Sequence, residues 1–581
     1  MNLGKQVMNP NQARRALSLL VVGLLFPPLT HALAAIARAA LGVHAEEVSP
    51  AAGALSVCSL LAALGVTLWT TNRRSPVGRS LWIGCCLAAA FAIVVRDLWW
   101  MGMTLIPAAL VLGLVQRWVS ERAPETWIYS LASSRRRAAV FGLMGLLAVI
   151  QFTRLSQHFA DTDSSFVLTT SDPFYSEHEC LSAYIFAGEL SERQVPNLYA
   201  PGHYPGLTRD AQPQTHVVGM KVEDPFQYAP PFLLLPRLSL ALSNDYRAIR
   251  SVWLALNMFV CVGGVLLLAA WVKRRSSGAS LLAFPLLFSS FPVLYNFQYG
   301  QFHFATLALC VGGLIALESK RRGVGAALIA FAILAKLFPA LLVVLLMAER
   351  RFRDVAAILA ACALWCLAGV AVLGSEPYFA FFFQQVPRLI SGEAFAFGEA
   401  WPEVADLLVA ANQGMRGIVL KLAVFFPGLA GLSTVLSTGY ALLLVGLAWF
   451  LGARLGGEAR QQRGLIWLGI LGLGSLASAG AWADYVSLIG LWTLGYVIPR
   501  LSSRPMLSAG LWLAGFFQFT LLGAAPLGPS ANPSWMLPLS LLGAVSLLFI
   551  LGAACVVGLG STTPAIQRRA ASPGRIQCAG A

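Results

Sequence analysis

The chain has 581 residues, 57% of them hydrophobic and 12% charged, with a mean hydropathy of +0.70. A soluble globular chain carries about 25% charged residues, so this composition excludes a fold that hides its apolar groups from water and requires lipid as solvent. The formal net charge of +15 sits in short clusters between apolar runs, the pattern of cytoplasmic loops; no basic-aromatic stripe accompanies it, which excludes a nucleic-acid partner.

Only helices and closed barrels satisfy their backbone hydrogen bonds inside a bilayer. Barrel strands alternate over about 10 residues; these runs are long and unbroken, as helices of about 20 residues require. In chain order they lie near 16–41, 52–70, 80–95, 98–118, 138–155, 249–272, 279–295, 302–317, 323–348, 355–373, 415–430, 433–452, 464–481, 483–499, 505–523 and 534–558. Lys5, Arg14 and Arg15 before Leu17–Leu29 imitate a signal peptide, but the apolar stretch continues to Leu41 and predicts an uncleaved first helix.

The basic clusters orient the runs. Arg14 and Arg15 place the N-terminus inside, Glu46 and Glu47 fall outside, and Arg73, Arg74 and Arg79 fall inside with Arg135–Arg137. The next helix then delivers residues 156–248 outside. Lys273–Arg275 and Lys320–Arg322 return inside, and Arg350, Arg351 and Arg353 do so only if 323–348 is a broken hairpin. Its bend is expected at Lys336–Pro339, because proline cannot continue a helix. Residues 374–414 then form a second external loop, 415–430 dips into the outer leaflet around Pro427, and 559–581 is a disordered basic cytoplasmic tail. The expected organisation is an N-terminal transmembrane extension over 1–137 and a membrane domain over 138–558.

Loop 156–248 holds eleven of the chain's 26 acidic residues and four of its seven histidines. Asp172 before Pro173 reads either as a helix cap or as an acid or base at a membrane-surface cavity. Glu177-His178-Glu179 invites a metal, but neighbours on a helix diverge by about 100°. His158, His203 and His216 read as surface or hydrogen-bonded side chains. The ten cysteines lie mostly inside apolar runs as small hydrophobes, and Cys180 alone falls clearly in the external loop. Asp224-Pro-Phe-Gln-Tyr-Ala-Pro-Pro231 makes an extended approach to the membrane, rigid or with Tyr228 lining a cleft. Asn296-Phe-Gln-Tyr-Gly-Gln301 is an external turn. Lys336 is a cation in an apolar hairpin, either snorkelling or meeting an anion such as a lipid phosphate. Trp482-Ala-Asp-Tyr485 opens a helix, its aromatics suited to an interfacial belt and Asp484 to a second acid/base or a sugar contact.

Taken in order, Asp172-Pro-Phe-x-Tyr, Pro196-Asn-Leu-Tyr199, Phe226-x-Tyr-Ala-Pro-Pro231 with Pro236, Asn296-x-x-x-Gly-Gln301, Ala335-Lys-Leu-Phe-Pro339, Glu349-Arg-Arg-Phe-Arg353 and Trp482-Ala-Asp-Tyr485 resemble the family-87 glycosyltransferases of the GT-C superfamily (the DUF2029 group). The resemblance covers roughly 138–500. It implies an all-α polytopic GT-C-like bundle with a large extracytoplasmic catalytic loop. The implied activity is mannosyl or related transfer from a polyprenyl-phosphate sugar to a glycolipid or glycan, with inversion. It puts Asp172 in the place of the general base and Lys336 near the donor phosphate. The late motif departs from the family, which has histidine where Asp484 stands. Tyr175, Tyr228, Asn296, Gln301, Trp482 and Tyr485 are the expected substrate-cleft residues. No cofactor is expected, and a divalent metal is left open. The expected location is a bacterial-type plasma membrane. Two other readings compete: a transporter or flippase of lipid-linked sugars, which calls for paired discontinuous helices, and a non-catalytic envelope-assembly protein.

Overall fold

The computed structural model describes residues 9–41, 108, 111–115, 117–119, 121, 125–160, 179–204, 213–222, 224–272, 278–395, 411–455, 460–501, 503–520 and 533–559. The runs expected at 52–70 and 80–95, the segment 161–178 with Asp172 and Tyr175, and the tail from 560 lie outside these residues.

Helices carry the described chain: α1 (Pro10–Leu41), α2 (Glu125–Ala132), α3 (Arg135–Ala160), α4 (Cys180–Glu192), α5 (Leu234–Leu242), α6 (Tyr246–Val272), α7 (Gly278–Ser289), α8 (Phe291–Gln298), α9 (His303–Glu318) and α10 (Arg322–Ala335). They continue with α11 (Leu341–Ala348), α12 (Phe352–Leu373), α13 (Glu376–Ala380), α14 (Val386–Ser391), α15 (Met415–Phe425), α16 (Ser433–Arg454), α17 (Arg460–Ser475), α18 (Ala483–Val497), α19 (Pro505–Thr520) and α20 (Pro533–Leu559). Among the described residues, six helical segments are long and apolar enough to cross a membrane, and a seventh is formed if the bent pair α8–α9 is one span. The chain is a multi-pass membrane protein.

Small residues bring helices close, as in lipid they must, since leucine gains little by leaving acyl chains for a neighbour. A Cβ on Gly325 of α10 would stand 2.7 Å from the backbone oxygen of Gly313 in α9. Apolar side chains that find no neighbour, such as Leu359, Leu364 and Leu367 of α12, are exposed, the surface a helix offers to lipid. The first helix belongs to the bundle: α1 packs on α3 and α6, with Gly145 facing Leu20.

Two breaks in the helices shape the middle of the molecule. The first separates α8 from α9, which meet at 105°. Gly300 makes the corner with φ +63°, and a Cβ there would lie 2.6 Å from Cβ of Leu181. Its carbonyl accepts Trp253 Nε1–H at 2.9 Å, and Leu181 N–H donates to Tyr299 O at 3.2 Å. The corner is thereby fastened to α4 of the large loop.

The second break ends α10 at Lys336, whose backbone is extended at φ −145°, ψ 127°. A short 3-10 turn over Phe338–Ala340 follows, where Pro339 has no N–H to continue the helix. The chain then returns through α11 to where α10 began. Arg322 Nε lies 2.7 Å from Asp354 Oδ1, and Arg351 reaches the same carboxylate at 2.8 Å. Arg463 pairs with Glu318 at 3.1 Å and with Glu349, while Arg351 also pairs with Glu318. Two basic turns, at Lys320–Arg322 and Glu349–Arg353, thus meet in one ionic knot. The loop expected over 374–414 is helical from Glu376 to Ser391, including a π-turn at Phe381–Gln385. Phe379, Phe382, Phe383 and Ile390 are exposed along it, a helical spacing that belongs at a lipid surface.

Candidate active site

Buried polar contacts hold the described part of the large loop. Glu179 at the start of α4 accepts Tyr246 Oη–H at 2.7 Å and pairs with Arg250 at 2.6 Å; Arg250 also meets His158 Nε2 at 2.9 Å. This cluster ties α3, α4 and α6 together, so Glu179 and His158 have structural work. Glu189, fully buried, accepts Thr215 Oγ1–H at 2.6 Å and the His216 backbone N–H at 3.1 Å. It pins residues 215–217 to α4. Tyr199 Oη–H donates to Tyr228 O at 2.8 Å, fixing the Pro225–Pro231 segment against the loop.

These elements close one side of a cavity of about 750 Å³. The α8–α9 corner, the Lys336 break, α16 and the α17–α18 connection close the rest. Gln301, just past the corner, is its polar hub. Gln301 Oε1 lies 3.4 Å from Lys336 Nζ, 3.0 Å from Tyr228 Oη and 3.3 Å from Tyr184 Oη. The two phenols are 2.6 Å apart. Burial holds both well above the ordinary tyrosine value, so both keep their protons. Gln301 Nε2–H donates to Cys180 Sγ at 3.0 Å, and Cys180 Sγ–H donates to Asp224 Oδ2 at 3.4 Å. A contact chain therefore joins the ammonium to a cavity-lining carboxylate. The Lys336 ammonium also lies 4.8 Å from the Tyr228 ring centre and 4.9 Å from that of Tyr485, a cation–π setting.

The cavity lining at Ala411, Ser478–Gly480 and Trp482 is held by Asn412. Its Oδ1 accepts Gly414 N–H at 2.9 Å and Ala481 N–H at 3.2 Å, and its Nδ2–H donates to Ala479 O at 2.8 Å. Lys421, fully buried, donates from Nζ to Asn412 O at 2.6 Å. The clip sets Trp482 at the start of α18 and Tyr485 one turn on.

Tyr228, Gln301, Lys336, Trp482 and Tyr485 line this cavity together. Asn296 sits in α8, fully buried behind the wall, and its amide finds no hydrogen-bond partner among the described residues. Asp484 falls in the first turn of α18, its side chain outside the described residues. Among the described residues no three His, Cys, Asp or Glu side chains gather as metal ligands.

The sequence profile of Glycosyltransferase family 87 matches residues 226–478. These residues are a glycosyltransferase family 87 domain. No curated protein and no solved structure matched the chain. The family 87 domain begins at Phe226, two residues before Tyr228, and ends at Ser478. It includes Gln301 and Lys336, whereas Trp482 and Tyr485 stand just beyond it and complete the same cavity. The chain is thus a membrane glycosyltransferase that needs a sugar donor and an acceptor.

Three cavity residues escaped the sequence reading. Asp224 was seen only as part of a proline-rich approach. Arg416, at the start of α15, lines the cavity and donates to Ser391 O. His303 lines it as the first residue of α9. A polar residue just past a glycine corner was the available signal for His303.

Proposed function

We propose that this glycosyltransferase moves a hexose, mannose foremost, from a polyprenyl-phosphate donor to a hydroxyl of a glycolipid or glycan on the extracytoplasmic face of a plasma membrane. The observation that carries this reading is the double character of one cavity. Its lining combines the polar Lys336, Gln301, Tyr228 and Asp224 with the apolar Leu341, Val344, Leu444 and Val445 of α11 and α16. A phosphate-sugar headgroup on a hydrocarbon tail needs both kinds of lining.

In the proposed step the acceptor oxygen attacks the anomeric carbon from the face opposite the phosphate. The bond from that carbon to the phosphate oxygen breaks, and its electron pair leaves with polyprenyl phosphate, giving inversion. The acceptor's proton passes to a loop carboxylate, the role assigned to Asp172. Asp484 serves as a second acid/base group or as a sugar contact. Lys336 offsets the charge gathering on the leaving phosphate, a term worth about 10²–10³ in rate when one such donor is removed from an active site. No step calls for a metal when a fixed cation stands there.

The test is transfer by membranes given labelled polyprenyl-phosphate mannose. Wild-type chain is expected to make labelled glycolipid or glycan, and Asp172→Asn to make none at normal expression. Wild-type transfer by that variant removes Asp172 from the step; translocation without bond formation in vesicles favours a flippase.

A further inference from the structure

His303 is buried to 1% exposure, yet neither ring nitrogen has a hydrogen-bond partner among the described residues. A buried polar atom left unpaired is destabilising, and this ring carries two. The imidazole is held between two aromatic rings. It stacks on Phe338 at 5.1 Å between centres and 28°, and leans on Tyr485 at 4.8 Å and 40°. Both neighbours line the cavity, and so does His303. Tyr485 is also the ring that receives the Lys336 ammonium on its centre at 4.9 Å. The unpaired imidazole is therefore one aromatic ring away from the cation assigned to the donor phosphate.

The chemistry of the orphaned atoms narrows the ligand. A neutral imidazole offers one N–H donor and one lone-pair acceptor. A phosphate dianion can use only the donor. A ring hydroxyl accepts and donates at once, so neighbouring hydroxyls of a sugar satisfy both nitrogens. Phe338 and Tyr485 add the apolar faces against which sugar C–H groups pack. We infer that His303, between Phe338 and Tyr485, is the contact for the hydroxyls of the transferred sugar, and that the sugar subsite lies beside Lys336 on the α9 side of the cavity. This rests on the donor reading above, and deepens it by separating the sugar's site from the phosphate's.

The test uses full-length protein in detergent and three probes: polyprenyl phosphate without sugar, and the same lipid carrying mannose or arabinose. Wild-type chain is expected to bind at least one sugar-bearing probe about tenfold more tightly than the bare lipid, the effect of a satisfied buried hydrogen-bond pair. His303→Phe is expected to lose that tenfold preference and to bind bare lipid as wild type does. His303→Asn, which keeps a donor and an acceptor, is expected to recover part of it, and guards against a variant that fails to fold. Equal weakening of all probes by both variants makes His303 a structural or phosphate group and overturns the inference. So does a wild-type chain that shows no preference for either sugar. A wild-type chain that binds none of the lipids overturns the donor reading itself, which the bare-lipid measurement reveals separately.

Discussion

Lys336 Nζ stands 3.4 Å from Gln301 Oε1, and that contact joins the two places where the helical chain is broken. One break is a glycine corner and the other a lysine-to-proline turn. Each frees backbone groups inside a low-dielectric bundle, a cost that natural membrane proteins accept where a cavity is lined. The consequence here is that a cation and an amide hub reach one site from two helices.

Lys336→Ala should lower transfer by about 10²-fold or more, by analogy with the loss of one charge-stabilising donor. Lys336→Arg should retain part of the rate, because it keeps the charge while changing its shape. Initial rates at saturating and limiting donor check both; an unchanged rate in the alanine variant removes Lys336 from the donor site.

Gln301→Leu should leave Lys336 and two buried phenols without their common acceptor. At about 1–3 kcal/mol for a stranded buried group, activity should fall roughly tenfold or more. Gln301→Glu keeps an acceptor at the same place and should be the milder change. Comparing the two variants' transfer rates at equal expression decides it.

Asn412→Ala removes three side-chain hydrogen bonds that hold this part of the cavity lining and should cost about 2–3 kcal/mol. Lys421→Met should cost less or nothing, since replacing a buried charge by an apolar chain of similar volume is often neutral. Thermal melting in detergent should show the larger drop for Asn412→Ala; the reverse order contradicts the clip.

Arg463→Ala leaves Glu349, whose side chain is 5% exposed, with the longer contact to Arg351 at 3.6 Å, and should destabilise the fold by about 2–3 kcal/mol with little change in donor KM. The knot lies where α10 begins and the cavity where it ends, so the two measurements separate.

Much of this architecture was legible in the chain. Lys336 was conspicuous because a cation in an apolar run needs a reason, and Pro339 beside it located the bend. The matching basic turns at Lys320–Arg322 and Arg350–Arg353 required the hairpin, and the Arg322–Asp354 pair is that closure. Charge placement bears on the side of 374–414 and not on its local structure, which is helical over Glu376–Ser391 with Phe379, Phe382, Phe383 and Ile390 at helical spacing. Asn296 and Gln301 were grouped as one turn; a 105° corner sends one behind the wall and the other into the cavity. The Asn412–Lys421 clip left no trace, because single polar residues in apolar helices have no periodicity and their meaning lies in partners far along the chain; for His303 the glycine corner marks the place but not the missing partners. Asp172 and Tyr175 are carried only by the sequence.

The most direct measurement is an electron-microscopy map of the full chain with polyprenyl phosphate bound. Phosphate density is expected within hydrogen-bonding distance of Lys336 Nζ, and the isoprenoid tail along Leu341, Val344, Leu444 and Val445. Phosphate density at the Arg351–Arg463 knot, or a cavity empty at saturating lipid, would contradict this placement.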